Sequence, residues 1–147
     1  MSATLTLMRD IAAAPDRVFN AWLDPAQARR FLFATPDGEM LACDIDARVG
    51  GVALIVERRG DREAHHHLRF EEIDRPHRLV FQFRACMAGQ TDQGEWTRVT
   101  IAIAPTDNGS RLTLTHEGVW TDYEKQTRQG WTMILGNLAD TVENSND

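Results

Sequence analysis

The chain has 147 residues, with sixteen Lys and Arg against 22 Asp and Glu, so its formal net charge is −6. Its length suits one domain, and 42% hydrophobic with 26% charged residues is typical of a globular protein rather than a disordered or fibrous one. The acidic balance argues against affinity for phosphate backbones and anionic lipid. We therefore predict no nucleic-acid partner and no membrane partner.

The sequence also bears on location. The two cysteines, Cys43 and Cys86, lie in apolar runs and not in a CxxC pair, which favours reduced core thiols. No stretch approaches the roughly 18 to 20 apolar residues of a membrane span, and the first residues lack the pattern of a secretory signal. We expect a cytoplasmic protein with a single domain over residues 1–147 and a polar tail from about residue 144.

The first elements are a strand and two short helices. Apolar residues with a period of two predict a strand at about residues 4–11. Pro15 then stands where a first helical turn tolerates proline, and apolar residues follow at helical spacing. Asp24 and Pro25 repeat the start signal, so a second short helix is predicted through about Phe31.

The middle of the chain alternates apolar and polar residues between turn signals rich in Gly, Pro, Asn and Asp. The connections are too short for parallel crossovers, so the strands are expected to be antiparallel. We place six strands at about residues 40–47, 52–58, 64–73, 78–86, 96–104 and 110–116.

A long helix is predicted at the end of the chain. Thr121 and Glu124 have the spacing of a capping box, and an apolar stripe follows. The order of elements predicts an α+β domain in which a curved antiparallel sheet of about seven strands wraps around this helix. The stripe consists of Thr127, Trp131, Ile134, Leu135, Leu138 and Val142.

Alternation along the strands predicts which side chains face the helix. The residues between them are largely polar, so the other face of the sheet is expected to meet water. The predicted inward residues are Leu41, Cys43, Ile45, Leu68, Phe70, Leu79, Phe81, Phe83, Val99, Ile101, Ile103, Leu112 and Leu114.

Four segments together carry a family resemblance: Arg9 with residues 13–25, residues 46–51 (DARVGG), residues 72–81 (EIDRPHRLVF), and Gly130-Trp131 followed by two leucines. With these segments the chain resembles the bacterial family similar to the activator of the heat-shock-protein-90 ATPase. That family belongs to the START-like (SRPBCC) helix-grip superfamily. The resemblance covers about residues 4–143. One departure is Phe31, which follows two arginines where the family often has Trp.

The resemblance implies a space between sheet and helix that holds a lipid, hormone, polyketide or other apolar small molecule. A straight helix cannot follow a strongly curved sheet closely, and apolar molecules enter such gaps because burial is favourable. We predict a ligand cavity lined by Phe31, Leu41, Cys43, Phe70, Phe81, Phe83, Val99, Ile101, Leu114, His116, Trp131 and Leu135.

Two histidines are candidate catalytic residues. Alternation turns His66 and His116 toward the interior, and parity with the apolar residues of the first strand adds Arg9. An acid or base role requires such a group within hydrogen-bond reach of a substrate. The alternative is that His66 and Arg9 lie near strand ends and cap the core.

The run His65, His66 and His67 does not predict a metal site. Consecutive strand residues point to opposite faces, so the three rings cannot converge on one ion. No HExxH motif or paired cysteine spacing accompanies them. We predict neither a metal nor a cofactor.

Three functions follow as hypotheses. The first is a carrier or sensor of an apolar small molecule, acting as a monomer or homodimer. The second, implied by the resemblance, is a stand-alone domain that stimulates a chaperone ATPase, with a chaperone as partner. The third is an enzyme of cyclase, dehydratase or hydrolase type that uses His66 or His116.

Overall fold

The structure, a computed structural model, describes residues 2–32, 38–87, 96–121 and 124–143. The predicted α+β class and order of elements are confirmed, although β7 continues to Trp120 instead of ending near residue 116. The elements are β1 (Ser2–Ile11), α1 (Pro15–Leu23), α2 (Pro25–Phe31), β2 (Glu39–Ile45), β3 (Val52–Arg59), β4 (Arg62–Asp74), β5 (Arg78–Met87), β6 (Thr97–Thr106), β7 (Gly109–Trp120) and α3 (Glu124–Glu143).

The strands form one curved, open, antiparallel sheet with the order β1-β7-β6-β5-β4-β3-β2. From β2 to β7 each strand pairs with its neighbour in sequence, and β1 completes the sheet beside β7. Two-residue turns explain part of this order, since Gly60 adopts a φ of 66° between β3 and β4. Short hairpins thus place sequential strands side by side.

The two short helices begin as predicted. Asp24 accepts a hydrogen bond from the Ala26 backbone N–H at 3.0 Å, and Pro25 occupies the first turn of α2. Phe31 at the end of α2 is fully buried and meets Trp22 of α1 edge to face, with ring centroids 5.3 Å apart. This contact fixes the two helices against each other.

The core lies between the inner face of the sheet and the three helices. Along α3 the predicted apolar stripe is buried, from Trp131 to Val142, with Ala139 added. These side chains join those of α1, α2 and the strands in one hydrophobic cluster. In the described part of the chain, no helix combines the length and apolarity needed to cross a lipid bilayer.

The prediction that Leu41 faces the helix is wrong. The pairing of β2 with β3 shifts register between Met40 and Ala42. A one-residue shift gives the residues before it the opposite alternation to those after it. Met40 therefore packs against the core, and Leu41 is 39% exposed.

Some predictions concern parts of the chain that the structure does not describe. They are the polar tail from residue 144, the side chain of Cys86, and the capping box, which spans residues 122–123.

Candidate functional site

The middle of the space between sheet and helix is filled by side chains. Phe81, Val99, Ile101 and Leu114 are fully buried, and Phe70 and Leu135 nearly so. A void large enough for one water would leave part of its lining accessible, so these side chains pack against neighbours on all sides. Their predicted contact with a ligand stays a prediction.

At one end of this space the inner face of the sheet becomes polar and aromatic. We call the residues at this end the polar-aromatic row, since they follow one another across β3, β4, β5, β6, β7 and α3. The row consists of Glu57, His66, Phe83, Thr97, His116 and Trp131.

Strand register places these side chains on one face. His66 pairs with Ile55, and Glu57 lies two residues further along β3, so Glu57 and His66 are diagonal neighbours on the inner face. On the next strands Phe83 pairs with Thr97. The predicted inward orientation of both histidines is confirmed, with His66 5% and His116 4% exposed.

A chain of hydrogen bonds ties α3 to the sheet at this end. The Trp131 indole N–H donates to His116 Nδ1 at 2.9 Å. Because Nδ1 accepts, the proton of the neutral ring is on Nε2, which lies 2.7 Å from the Thr97 hydroxyl oxygen and donates to it. The Thr97 hydroxyl in turn donates to the Phe83 carbonyl oxygen at 3.1 Å. Each of the three donors, on Trp131, His116 and Thr97, thus has an acceptor.

Burial keeps His116 neutral near pH 7. Burial lowers the pKa of its imidazole to about 4, since the charged ring would lose its hydration. Protonation at Nδ1 would also remove the acceptor of the Trp131 N–H. With both ring nitrogens engaged, His116 is built to hold Trp131 in place, and it is poorly suited to exchange protons with a substrate near neutral pH.

Phe83 lies between the two histidines. Its ring is stacked near His66, with centroids 6.2 Å apart and planes at 15°. It meets His116 and Trp131 edge to face at 5.9 Å and 6.3 Å. The Nδ1 atom of His66 lies 3.2 Å from the Ile55 carbonyl oxygen, so that nitrogen carries the donated proton. Phe83 is only partly buried, and it is the apolar member of the row that reaches the surface.

Sequence reasoning missed Glu57 and Thr97. Glu57 is only 1% exposed, although it is a carboxylic acid. The alternation of Ala53, Ile55 and Glu57 along β3 carried this signal, because all three face inward. Thr97 gave no signal of its own, since its role depends on the strands beside it.

Arg9 does not join the histidines. In the pairing of β1 with β7, Leu5 is opposite His116, whereas Arg9 is opposite Leu112 near the other end of the strand. The Arg9 side chain is exposed. Parity alone gave the correct face but not the position along the strand, so the predicted grouping is wrong.

Cys43 and Leu41 border a different space. With Pro25, Ala26 and Arg29 they line an open cleft of about 400 Å³ between α2 and β2. Cys43 is half-buried, and burial raises the pKa of its thiol. This cleft opens at the edge of the sheet rather than between the sheet and α3.

The histidine run alternates as predicted, with His66 inward and both His65 and His67 on the outer face. His65 lies 3.3 Å from a Glu63 carboxylate oxygen. Within residues 2–32, 38–87, 96–121 and 124–143, no group of three metal-binding side chains converges.

The architecture defines the class of protein: a START-like, helix-grip domain with a curved sheet against a C-terminal helix. The model of the family described as Activator of Hsp90 ATPase homolog 1-like protein matches residues 12–143, and the chain belongs to this family. Family and fold together support a ligand-binding or co-chaperone-like domain in general.

Solved structures share the fold over nearly the whole chain. A protein from Chromobacterium violaceum is 26% identical with a TM-score of 0.85, covering 97% of this chain and 99% of its own. A protein from Rhizobium loti is 29% identical with a TM-score of 0.80, covering 96% and 97%. An AHSA1-like protein from Aeromonas hydrophila is 22% identical with a TM-score of 0.80, covering 96% and 92%. No curated protein is significantly similar to this chain.

Proposed function

We propose that the protein is a carrier or sensor that binds an apolar small molecule, lipid-like or aromatic, at the polar-aromatic row. The observation that carries this proposal is the position of Phe83. Its ring is only partly buried, it touches Trp131 of α3, and it lies directly beside the filled middle of the helix–sheet space. An apolar molecule that displaces water from this ring gains roughly 25 cal/mol for each Å² buried.

The polar groups around Phe83 suit such a ligand. His116 is neutral, and its nitrogens are already engaged with Trp131 and Thr97. An apolar molecule that binds beside His116 therefore breaks neither of these hydrogen bonds. It also meets no charge on the His116 ring. The ligand then lies against the accessible part of the Phe83 ring, at the edge of the filled middle.

Enzymatic use of the histidines is a weaker proposal. A general acid or base must exchange a proton with the substrate. His116 holds its proton toward Thr97 and its lone pair toward Trp131, and His66 uses Nδ1 against Ile55. We therefore favour binding over acid–base catalysis.

The direct test has two parts. Denaturing mass spectrometry of the purified protein looks for a bound apolar compound, and titration with the neutral fluorescent probe N-phenyl-1-naphthylamine measures affinity. Phe83→Leu is expected to weaken probe binding at least threefold, because the ring that meets the ligand is lost. Phe70→Leu is the matched control, since the same change is made in the packed middle.

Equal affinity of the wild type and Phe83→Leu, with the fold intact by circular dichroism, would contradict a ligand at the row. Stimulation of a chaperone ATPase by the wild type and equally by Phe83→Leu would favour the co-chaperone alternative, which the family description supports. The free thiol of Cys43 suits a reducing compartment. We place the protein in the cytoplasm as a monomer or homodimer on this proposal.

A further inference from the structure

A cationic cluster lies on the outer face of the sheet, away from α3 and from the proposed ligand site. The guanidinium carbon of Arg69 on β4 is 4.8 Å from the ring centre of Trp96, and that of Arg84 on β5 is 5.0 Å from the same centre. Both distances are those of cation–π contacts. Both guanidinium groups therefore contact the same Trp96 indole ring.

These two arginines differ from several others on the surface. The chain has more acidic than basic residues, and a number of the described arginines form ion pairs with carboxylates. Neither Arg69 nor Arg84 contacts a carboxylate in the part of the chain that the structure describes. The arginines that do form ion pairs include Arg48 with Asp46, Arg58 with Glu39, Arg78 with Glu72, Arg98 with Glu71 and Arg111 with Asp10.

Within the described part of the chain, the neighbouring groups do not neutralise the cluster. Glu71 on the same face is engaged with Arg98 at 3.1 Å. His67 is opposite Arg84 in register, and burial, followed by the charge of Arg84, lowers the pKa of its imidazole. His67 is therefore neutral near pH 7, and the net charge of the cluster comes from the two guanidinium groups.

Stacking leaves these guanidinium groups ready to bind. A guanidinium that lies on an aromatic face uses its π surface there, and its N–H donors remain in the plane at the edge. The fixed ring also reduces the side-chain entropy that a partner must overcome. The Nε–H of Arg84 is buried and has no acceptor among the described residues.

We propose that Arg69, Trp96 and Arg84 form a docking site for a short acidic segment of a partner protein. Carboxylates are the anions that match the planar, two-donor edge of arginine. Two such edges on neighbouring strands accommodate two Asp or Glu side chains of one peptide. The site is on an outer sheet face rather than in a cleft, which favours a peptide over a small anion. A long polyanion would be repelled by the net charge of −6 beyond the cluster.

The test uses the full chain and a fluorescein-labelled hexaglutamate peptide, with hexaglutamine as the neutral control, in fluorescence anisotropy titrations at low and moderate salt. Arg69→Gln/Arg84→Gln is expected to weaken hexaglutamate binding at least tenfold. Arg78→Gln/Arg111→Gln removes the same number of charges from paired positions, and it is expected to change the affinity less than twofold. Hexaglutamine is not expected to bind.

Several results would overturn the docking site. Equal losses in the two double variants would show only a general charge effect. Tighter binding of an oligothymidylate of equal charge would assign the surface to nucleic acid, and full displacement by inorganic phosphate would assign it to a small anion. Arg69→Lys/Arg84→Lys keeps the positive charges but removes the planar guanidinium donors, so undiminished affinity in that variant also contradicts the proposal. If the glutamine variant does not fold, the lysine variant replaces it as the test of the docking site.

Discussion

Two neighbouring regions of the molecule differ in how they use the same strands. In the packed middle, Phe81 is enclosed on all sides by apolar side chains. Two residues further along β5, Phe83 faces the same way but is only partly buried among histidines, a threonine and a tryptophan. The two phenylalanines are adjacent on the inner face of β5, so a single strand contributes to both regions.

This difference indicates that the packed middle stabilises the fold, whereas the polar-aromatic row provides the polar groups of the candidate site. Buried apolar groups stabilise the fold by leaving water, whereas buried polar groups contribute little net stability even when all their hydrogen bonds are made. The bonds from Trp131 through His116 to Thr97 therefore do not make this end more stable than an apolar packing would. They define the shape and polarity of the end, as a binding site requires.

The largest expected effect separates the two phenylalanines. Phe81→Ala is expected to lower the free energy of unfolding by about 3 to 5 kcal/mol, because it leaves a cavity in the packed middle. Phe83→Ala is expected to cost only about 1 to 2 kcal/mol, since its ring is partly exposed. Urea denaturation monitored by circular dichroism measures both. Similar decreases in the free energy of unfolding in the two variants would contradict the distinction between the two regions.

The pH dependence of stability is a second way to test the polar end. The pKa of His116 is about 4 in the folded protein, below its usual 6.5, so the unfolded chain binds the proton first as the pH falls. Stability from this group is complete above pH 6.5 and is lost toward pH 4, by about 3 kcal/mol in all.

Urea denaturation at pH 7.5 and pH 4.5 measures this loss in the wild type and in His116→Gln. The difference between the two proteins isolates His116 from other acid-sensitive groups. The same pH dependence in both would mean that the buried ring does not resist protonation.

A smaller effect isolates the hydrogen bond of Trp131. Trp131→Phe removes the donor to His116 and is expected to cost about 1 to 3 kcal/mol beyond its packing loss. Trp22→Phe is a matched control, because the buried Trp22 N–H has no acceptor among the described residues. Thermal and urea unfolding compare the two variants. A larger loss for Trp22→Phe would argue against the bond.

The smallest expected effect separates stability from binding. Gly136 is in the interior of α3, and a Cβ built there meets nothing within 4 Å. Gly136→Ala is expected to raise the free energy of unfolding by about 0.5 to 1 kcal/mol, since glycine is a poor helix former. N-phenyl-1-naphthylamine affinity should stay unchanged. A changed affinity would indicate that the site responds to the helix as a whole.

Much of the fold could be predicted from the sequence because its signals are local. Asp24 followed by Pro25 started α2, alternation marked the strands, and glycine at position 60 marked a two-residue turn. Leu41 was misplaced because a one-residue register shift depends on how β2 pairs with β3. Nothing in the alternation of β2 alone reports such a shift.

The candidate site was predictable only in part. Alternation turned His66 and His116 inward, and the same rule applied to β3 would have added Glu57. Arg9 followed the rule for its face but lies at the wrong end of β1. Periodicity reports the face of a residue and not its level along the sheet, because the level is set by register with strands far away in sequence.

By itself, the sequence determined the α+β class, the order of the elements and the inward faces of most strands, since these depend on propensity and period within a few residues. Only the tertiary structure decided that the middle of the helix–sheet space is filled, and that Trp131, His116, Thr97 and Phe83 join in one hydrogen-bonded chain. Packing density and hydrogen-bond geometry arise between elements, so they become definite only when β5, β6, β7 and α3 come together.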